Sequence, residues 1–148
     1  MFLTYNLAPY TPSNNPETIF QIVAPTNHDV YVRSLEVMMF GTTGASAAIL
    51  FKWCTQDGAG TSSDDSAALF KDIPASANTI QTTMRKTFTA EPSTNTVREQ
   101  FAVHQQASGQ RLPNNPDRRL VVEGGTRLGL RIYTAVAFTI GFSVSIQE

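Results

Sequence analysis

The stretch LVVEGGTRLGLRIYTAVAFTIGFSVSIQE, Leu120 to Glu148, decides the fold. Phe138, Ile140, Phe142, Val144 and Ile146 occupy every second position, and Thr139, Gly141, Ser143, Ser145 and Gln147 fill the positions between. Successive side chains of a strand point to opposite faces, so the pattern describes a strand with one apolar face and one small, polar face. Upstream, Leu128, Leu130 and Ile132 alternate in the same way with Arg127, Gly129, Arg131 and Tyr133. A helical period would scatter these apolar residues around the cylinder. Joined through Thr134-Ala135-Val136-Ala137, the two runs read as an antiparallel hairpin, the central pair of an all-β domain.

The same alternation recurs on the N-terminal side. Strands are expected over Thr18–Ala24, Asp29–Phe40 and Ala45–Cys54, the last with Ile49, Phe51 and Trp53 on one face. In the second of these the apolar phase slips by one residue at Arg33-Ser34, from Val30 and Val32 to Leu35, Val37 and Met39. A one-residue slip inside a long strand is the mark of a β-bulge. Thr55–Ser66 reads as a polar loop and Ala67–Ile73 as a short strand or a single helical turn. Thr79–Thr89, Val97–Gln105 and Arg118–Glu123 are further strands, separated by Glu91–Asn95, Ala107–Gln110 and Leu112–Asp117. Roughly eight to ten short strands bounded by Gly, Pro and Asn clusters make an antiparallel β-sandwich, jelly-roll-like, over residues 18–148. Residues 1–17 contain Pro9, Pro12 and Pro16 and read as an extended N-terminal arm. Its Phe2, Leu3, Tyr5, Leu7 and Tyr10 are too apolar for a solvated tail, so the arm should lie on its own domain or on a neighbouring subunit. On this reading, deleting Met1 to Pro16 leaves a folded body that docks poorly.

Composition removes several function classes. The 148 residues suffice for one domain with a core, and charged residues make up only 16% against 41% hydrophobic. With a net charge of −1 there is no bulk attraction to nucleic acid or an anionic membrane. No run approaches the ~18 apolar residues of a membrane helix. Met1 to Tyr10 lacks the basic and long apolar regions of a signal peptide, so synthesis and use without Sec export are expected. Cys54 stands alone, so no intrachain disulfide forms, and it reads as a core or half-buried residue.

No catalytic, cofactor or metal motif emerges, and the chain is not expected to be an enzyme. G-x-S-x-G is absent. Asp57, Asp64 and Asp65 lack the ligand spacing of a calcium loop. His28, His104 and Cys54 lack zinc-site spacing. Gly124–Gly129 has neither the lysine nor the helix of a phosphate loop. Arg111, Arg118 and Arg119 form a small basic cluster suited to ion pairs with a partner subunit, without the aromatic interleaving of a single-strand binder.

From about Ile22 onward the chain resembles small virion proteins of tailed phages. The resemblance rests on the V-x-x-G-x-x-L-x-L-R segment, Val122 to Arg131, leading into a final alternating strand. It rests also on the turn Gly41-Thr42-Thr43-Gly44 after a long Arg-containing strand, and on Thr89-Ala90-Glu91-Pro92. The acidic, aromatic-containing ending usual in that group is here only Ser145-Ile146-Gln147-Glu148. The resemblance implies a capsid decoration or cement protein: a jelly-roll sandwich, a homotrimer, made in the host cytoplasm and seated on the outer capsid surface. Its partner would be the major capsid protein, with Phe2, Leu3, Tyr5, Leu7, Tyr10, Arg111, Arg118 and Arg119 as contact residues. Neither a cofactor, nor nucleic acid, nor a membrane is expected. The alternatives are a head–tail or tail sandwich protein, and a carbohydrate-binding sandwich whose Trp53, Tyr5, Tyr10, Tyr31 or Tyr133 stacks on sugars.

Overall fold

The computed structural model describes residues 1–13, 16–40, 48–74, 77–104, 110–113, 120–133 and 139–148. Phe138, Arg118 and Arg119, the turn 41–44 and the connection 134–137 lie outside them. Of Tyr10 and Arg111 only the backbone is described.

Among the described residues there are twelve strands and one 3-10 turn. They are β1 (Phe2–Tyr10), β2 (Glu17–Val23), β3 (Val30–Phe40), β4 (Ala48–Asp57), β5 (Thr61–Asp64), β6 (Leu69–Lys71) and β7 (Thr83–Ala90). β8 (Thr94–His104), β9 (Gln110–Pro113), β10 (Leu120–Val122), β11 (Arg127–Ile132) and β12 (Thr139–Gln147) follow, and the 3-10 turn is Ser66–Ala68. They build two antiparallel sheets that pack as a sandwich. Sheet 1 runs β10-β3-β12-β1-β6, with β9 also on β3; sheet 2 runs β5-β7-β2-β11-β4-β8. With β5 to β7 and β9 set aside, the chain alternates between the sheets at every step except β4 to β8. That leaves β10-β3-β12-β1 facing β2-β11-β4-β8, the winding of a jelly roll.

The C-terminal hairpin is not formed. β12 pairs with β1 and β3, whereas β11 pairs with β2 and β4 in the other sheet. The alternation fits either arrangement, because a neighbour in the same sheet and a strand facing it both turn their apolar residues into the space between the sheets. In opposite sheets, Leu128, Leu130 and Ile132 share one core with Ile140, Phe142, Val144 and Ile146, all almost fully buried. Each strand is nonetheless an inner strand of its sheet. The bulge falls where the phase slip places it. Ser145 pairs with Ser34 and Ile146 with Val32, leaving Arg33 as the extra residue.

Within segment 1–17, Phe2–Tyr10 is extended as β1 and lies within the sandwich. β1 pairs with β12 over Phe2–Tyr10 and with β6 over Leu3–Tyr5. Leu3 and Tyr5 are fully buried and Leu7 nearly so. Of the two surfaces open to this segment, residues 2–10 use the chain's own body.

Between β4 and β8 the chain makes a long two-stranded ribbon. The ladder pairing Asp57 with Thr94 continues past a corner into the one pairing Thr61 with Ala90. Gly60 turns that corner at φ +61°, and a Cβ there would stand 2.5 Å from the Ala90 carbonyl oxygen, so no larger residue fits. The bend carries β7 onto β2 while β8 stays on β4. Thr55–Ser66 is therefore not one loop: β4 extends to Asp57 and β5 follows. Ser66–Ala68 and β6 then cross to the edge of sheet 1, so Ala67–Ile73 contains both a helical turn and a short strand.

Candidate functional site

Alternation along β1 turns Leu3, Tyr5 and Leu7 inward and Phe2, Thr4 and Asn6 outward. The first three are core residues and cannot meet a partner while the fold is intact. Tyr5 also anchors the ribbon. Its hydroxyl donates to Asp65 Oδ2 at 2.8 Å, and Lys86 Nζ lies 2.7 Å from Asp65 Oδ1. Burial, then the bond to Asp65 and its negative charge, raise the Tyr5 pKa far above the ordinary phenol value.

Of the two expected aromatic anchors whose side chains are described, Tyr5 is buried and Phe2 is exposed, at 47%. It has company that the sequence did not announce. Phe70, on β6 opposite Thr4, is 56% exposed, and Ile73 is 64% exposed. The Asp72 amide donates to the Phe2 carbonyl oxygen at 3.1 Å, and Thr4 Oγ1 donates to Asp72 Oδ1 at 2.8 Å, which hold this edge together. Three of the five large exposed apolar side chains of the described residues thus lie on or next to the β1–β6 pair at one edge of sheet 1. The bulge at Arg33 adds a cation. Its guanidinium lies 5.5 Å from the Phe2 ring centroid and donates to Gln147 Oε1 at 3.0 Å. The two rows next to this border are small or polar. Thr4, Ser145 and Ser34 form one row; Asn6, Ser143 and Glu36 form the next, with the Arg111 backbone opposite Glu36. The far end of the sheet returns to apolar surface, with Met38 opposite Gly141 and Phe40, 44% exposed, opposite Thr139.

The outer face of sheet 2 is instead closed by side chains. Gln21 Nε2 donates to Gln56 Oε1 at 2.8 Å, and Gln56 Nε2 donates to Thr18 Oγ1 at 3.1 Å and Asn95 Oδ1 at 2.7 Å. This network passes over Gly129, where a Cβ would meet Gln56 Oε1 at 2.2 Å. Glu91, from the ribbon corner, accepts from the Thr18 amide at 2.9 Å and from its hydroxyl, and lies 3.4 Å from Arg131 Nη2. Arg131 Nη1 also donates to the Tyr133 hydroxyl at 3.2 Å, and Lys52 Nζ lies 4.3 Å from the Tyr133 ring centroid. Cys54 is fully buried beneath them. Burial raises its pKa, against the lowering effects of Tyr133, Arg131 and Lys52, so it is held as the thiol.

The third feature is a polar cleft of about 720 Å³ at one end of the sandwich, lined by Asn27, His28, Asp29, Tyr31, Asn78, Thr79, Gln81, Glu148 and Met1. The Glu148 carboxylate fixes one wall. It accepts from the amides of Gln81 and Thr82 at 3.0 Å each and from Thr82 Oγ1 at 2.8 Å. Burial pushes the Glu148 pKa up, but the Thr82, Gln81 and His28 contacts outweigh it and the net shift is downward. His28 Nε2 is 3.2 Å from Glu148 Oε1, outside hydrogen-bonding geometry, so their attraction is electrostatic and needs a protonated imidazole. Of the aromatics considered for sugar stacking whose side chains are described, Trp53 and Tyr5 are buried in the core, Tyr133 lies under Lys52, and Tyr31 lines this cleft.

Among the described residues no group of three or more His, Cys, Asp or Glu gathers as a metal site, and no helix is long and apolar enough to cross a membrane. Comparison with known protein families, with curated proteins and with solved structures finds no match.

Proposed function

We propose that this protein is a virion structural protein, a capsid decoration or cement protein that binds the outer surface of a phage head across seams of the major capsid protein. The observation that supports it best is the exposure of Phe2, Phe70 and Ile73 at the β1–β6 edge, with the Arg33 guanidinium over the Phe2 ring and the small or polar rows of Thr4 and Asn6 beside them. Contiguous exposed apolar surface rimmed by polar residues marks a protein-interaction surface. Aromatic residues and arginine are the types enriched at interface centres. A jelly roll whose inner strands are all paired supplies a stiff body for such a patch. Packaged DNA presses a shell outward, and a clamp across a seam adds contact area that must be broken before the seam opens. The docking element is this edge of sheet 1, to which Phe2 contributes from the N-terminal aromatic set. The homotrimer belongs to the same proposal, since local three-fold axes offer equivalent seams.

The test is co-sedimentation with phage heads assembled without this protein. Wild type should pellet with the heads to saturation, and Phe2→Ser/Phe70→Ser/Ile73→Ser should remain in the supernatant while keeping its folded spectrum. Labelling on intact virions separates the head from the tail: a coat over the head agrees with decoration, and a few copies at one vertex or on the tail oppose it.

A further inference from the structure

The cleft at the end of the sandwich has no part in docking through the β1–β6 border, yet it is built for a ligand. Asn27, His28 and Asp29 come from the β2–β3 connection, Tyr31 from β3, and Asn78, Thr79 and Gln81 from the approach to β7. Its volume falls within the roughly 300–1,000 Å³ of small-molecule sites. Among the described residues the side chains of Asn27, Tyr31, Asn78, Thr79 and Gln81 have no hydrogen-bond or ring partner. Together they offer three amide groups, each both donor and acceptor, two hydroxyls and one aromatic face. The walls are fixed in advance. Glu148 ties Gln81 and Thr82 to the end of β12, and Asp29 Oδ1 accepts from the Gly124 amide at 2.9 Å. Fixed walls lower the ordering cost of binding.

The lining also excludes other ligand classes. An apolar ligand would find only Met1 and one face of Tyr31. An anion would meet the Asp29 and Glu148 carboxylates; His28 is the cationisable side chain of the lining, and the Met1 ammonium is already engaged by the Glu148 carbonyl oxygen. A metal ion would have to displace the amide and hydroxyl donors that already occupy the Glu148 carboxylate. What remains is a neutral, polyhydroxylated molecule that exchanges paired hydrogen bonds with amides and lays a C–H face on an aromatic ring. We infer that this cleft is a binding site for a neutral saccharide, with Tyr31 as the stacking platform and Asn27, Asn78 and Gln81 as hydrogen-bonding partners.

The experiment is a titration of the ¹⁵N-labelled full-length chain with glucose, galactose, mannose and N-acetylglucosamine, with inorganic phosphate as a charged control. At least one sugar should shift amides confined to Asn27–Tyr31 and Asn78–Thr82, with an affinity insensitive to salt. Tyr31→Ala should weaken that binding about tenfold and Asn78→Ala about fivefold, the size of one lost ring or hydrogen-bond contact. Asn78 is exposed, so its variant keeps the test open should Tyr31→Ala disturb the fold. No shift with any of the four sugars, shifts elsewhere, stronger binding of phosphate at the same amides, or undiminished binding by Asn78→Ala in a folded chain would overturn the assignment.

Discussion

Replacing Phe142 with alanine probes the point where the two sheets meet. The ring is fully buried on the inward face of β12. It lies edge-on to Phe20 of sheet 2 at 6.0 Å between centroids and to Phe51 at 5.7 Å. Phe20 in turn touches Trp53 and Tyr5 at 5.7 and 5.6 Å, so the aromatic cluster spans the core. A buried Phe→Ala change costs about 3–5 kcal/mol in lost transfer energy and cavity formation. Edge-to-face partners on both sides place this site in the upper half of that range. A loss of about 4 kcal/mol is a large share of the roughly 5–15 kcal/mol that holds a domain folded. In a urea melt with a slope of about 2 kcal/mol per molar, the midpoint should fall by about 2 M with the slope unchanged. A loss below about 1 kcal/mol would refute the claim that this ring is the centre of a packed inter-sheet core.

Further predictions follow the same geometry. Gly129→Ala should break the Gln21–Gln56–Thr18 network and cost about 2 kcal/mol or more, through steric clash and buried amides left without partners; thermal melts check this. Thr87 sits at φ +53° in β7, a conformation unfavourable for a β-branched residue. Thr87→Gly should therefore hold or raise stability by up to about 1 kcal/mol, whereas glycine elsewhere in a strand lowers it. Removing residues 1–16 deletes Leu3, Tyr5 and Leu7 from the core, each worth roughly 1.5–3 kcal/mol, so the truncated chain should lose its cooperative melt. Glu148 has a depressed pKa in the folded state. Its contribution is complete above the unfolded glutamate value of about 4.3 and is lost as pH falls through the lower folded value. Glu148→Gln should flatten the acid limb of the stability–pH curve while leaving its alkaline side unchanged. Light scattering should give a mass near three times the 16.2 kDa of one chain.

Alternation made the sandwich legible, and the slip from Val32 to Leu35 located a bulge to Arg33-Ser34, of which the register makes Arg33 the extra residue. The partner of each strand was not legible. β11 and β12 carry the same alternation whether they lie side by side or face each other, and sequence proximity favoured the hairpin. The N-terminal strand was hidden by its prolines: Pro9 sits next to the last residue of β1, and Pro12 and Pro16 fall between β1 and β2, so none of the three interrupts the middle of a strand. Its apolar residues were read as anchors for a surface, yet Leu3, Tyr5 and Leu7 alternate as core residues do. The ribbon corner at Gly60 was read as a solvated loop because polar, Gly-rich sequence describes both. The β1–β6 border could not be found from sequence, since Phe2 and Phe70 are 68 positions apart and only the β1–β6 register brings them together. The cleft is assembled likewise, from segments near residues 28, 80 and 148.

The most direct test of the docking account is a binding isotherm of the purified protein on phage heads that lack it, read by co-sedimentation and compared with Phe2→Ser/Phe70→Ser/Ile73→Ser. Saturable binding by wild type, lost in a folded triple variant, is the predicted result. Absence of wild-type binding, or equal binding by the triple variant, would contradict it.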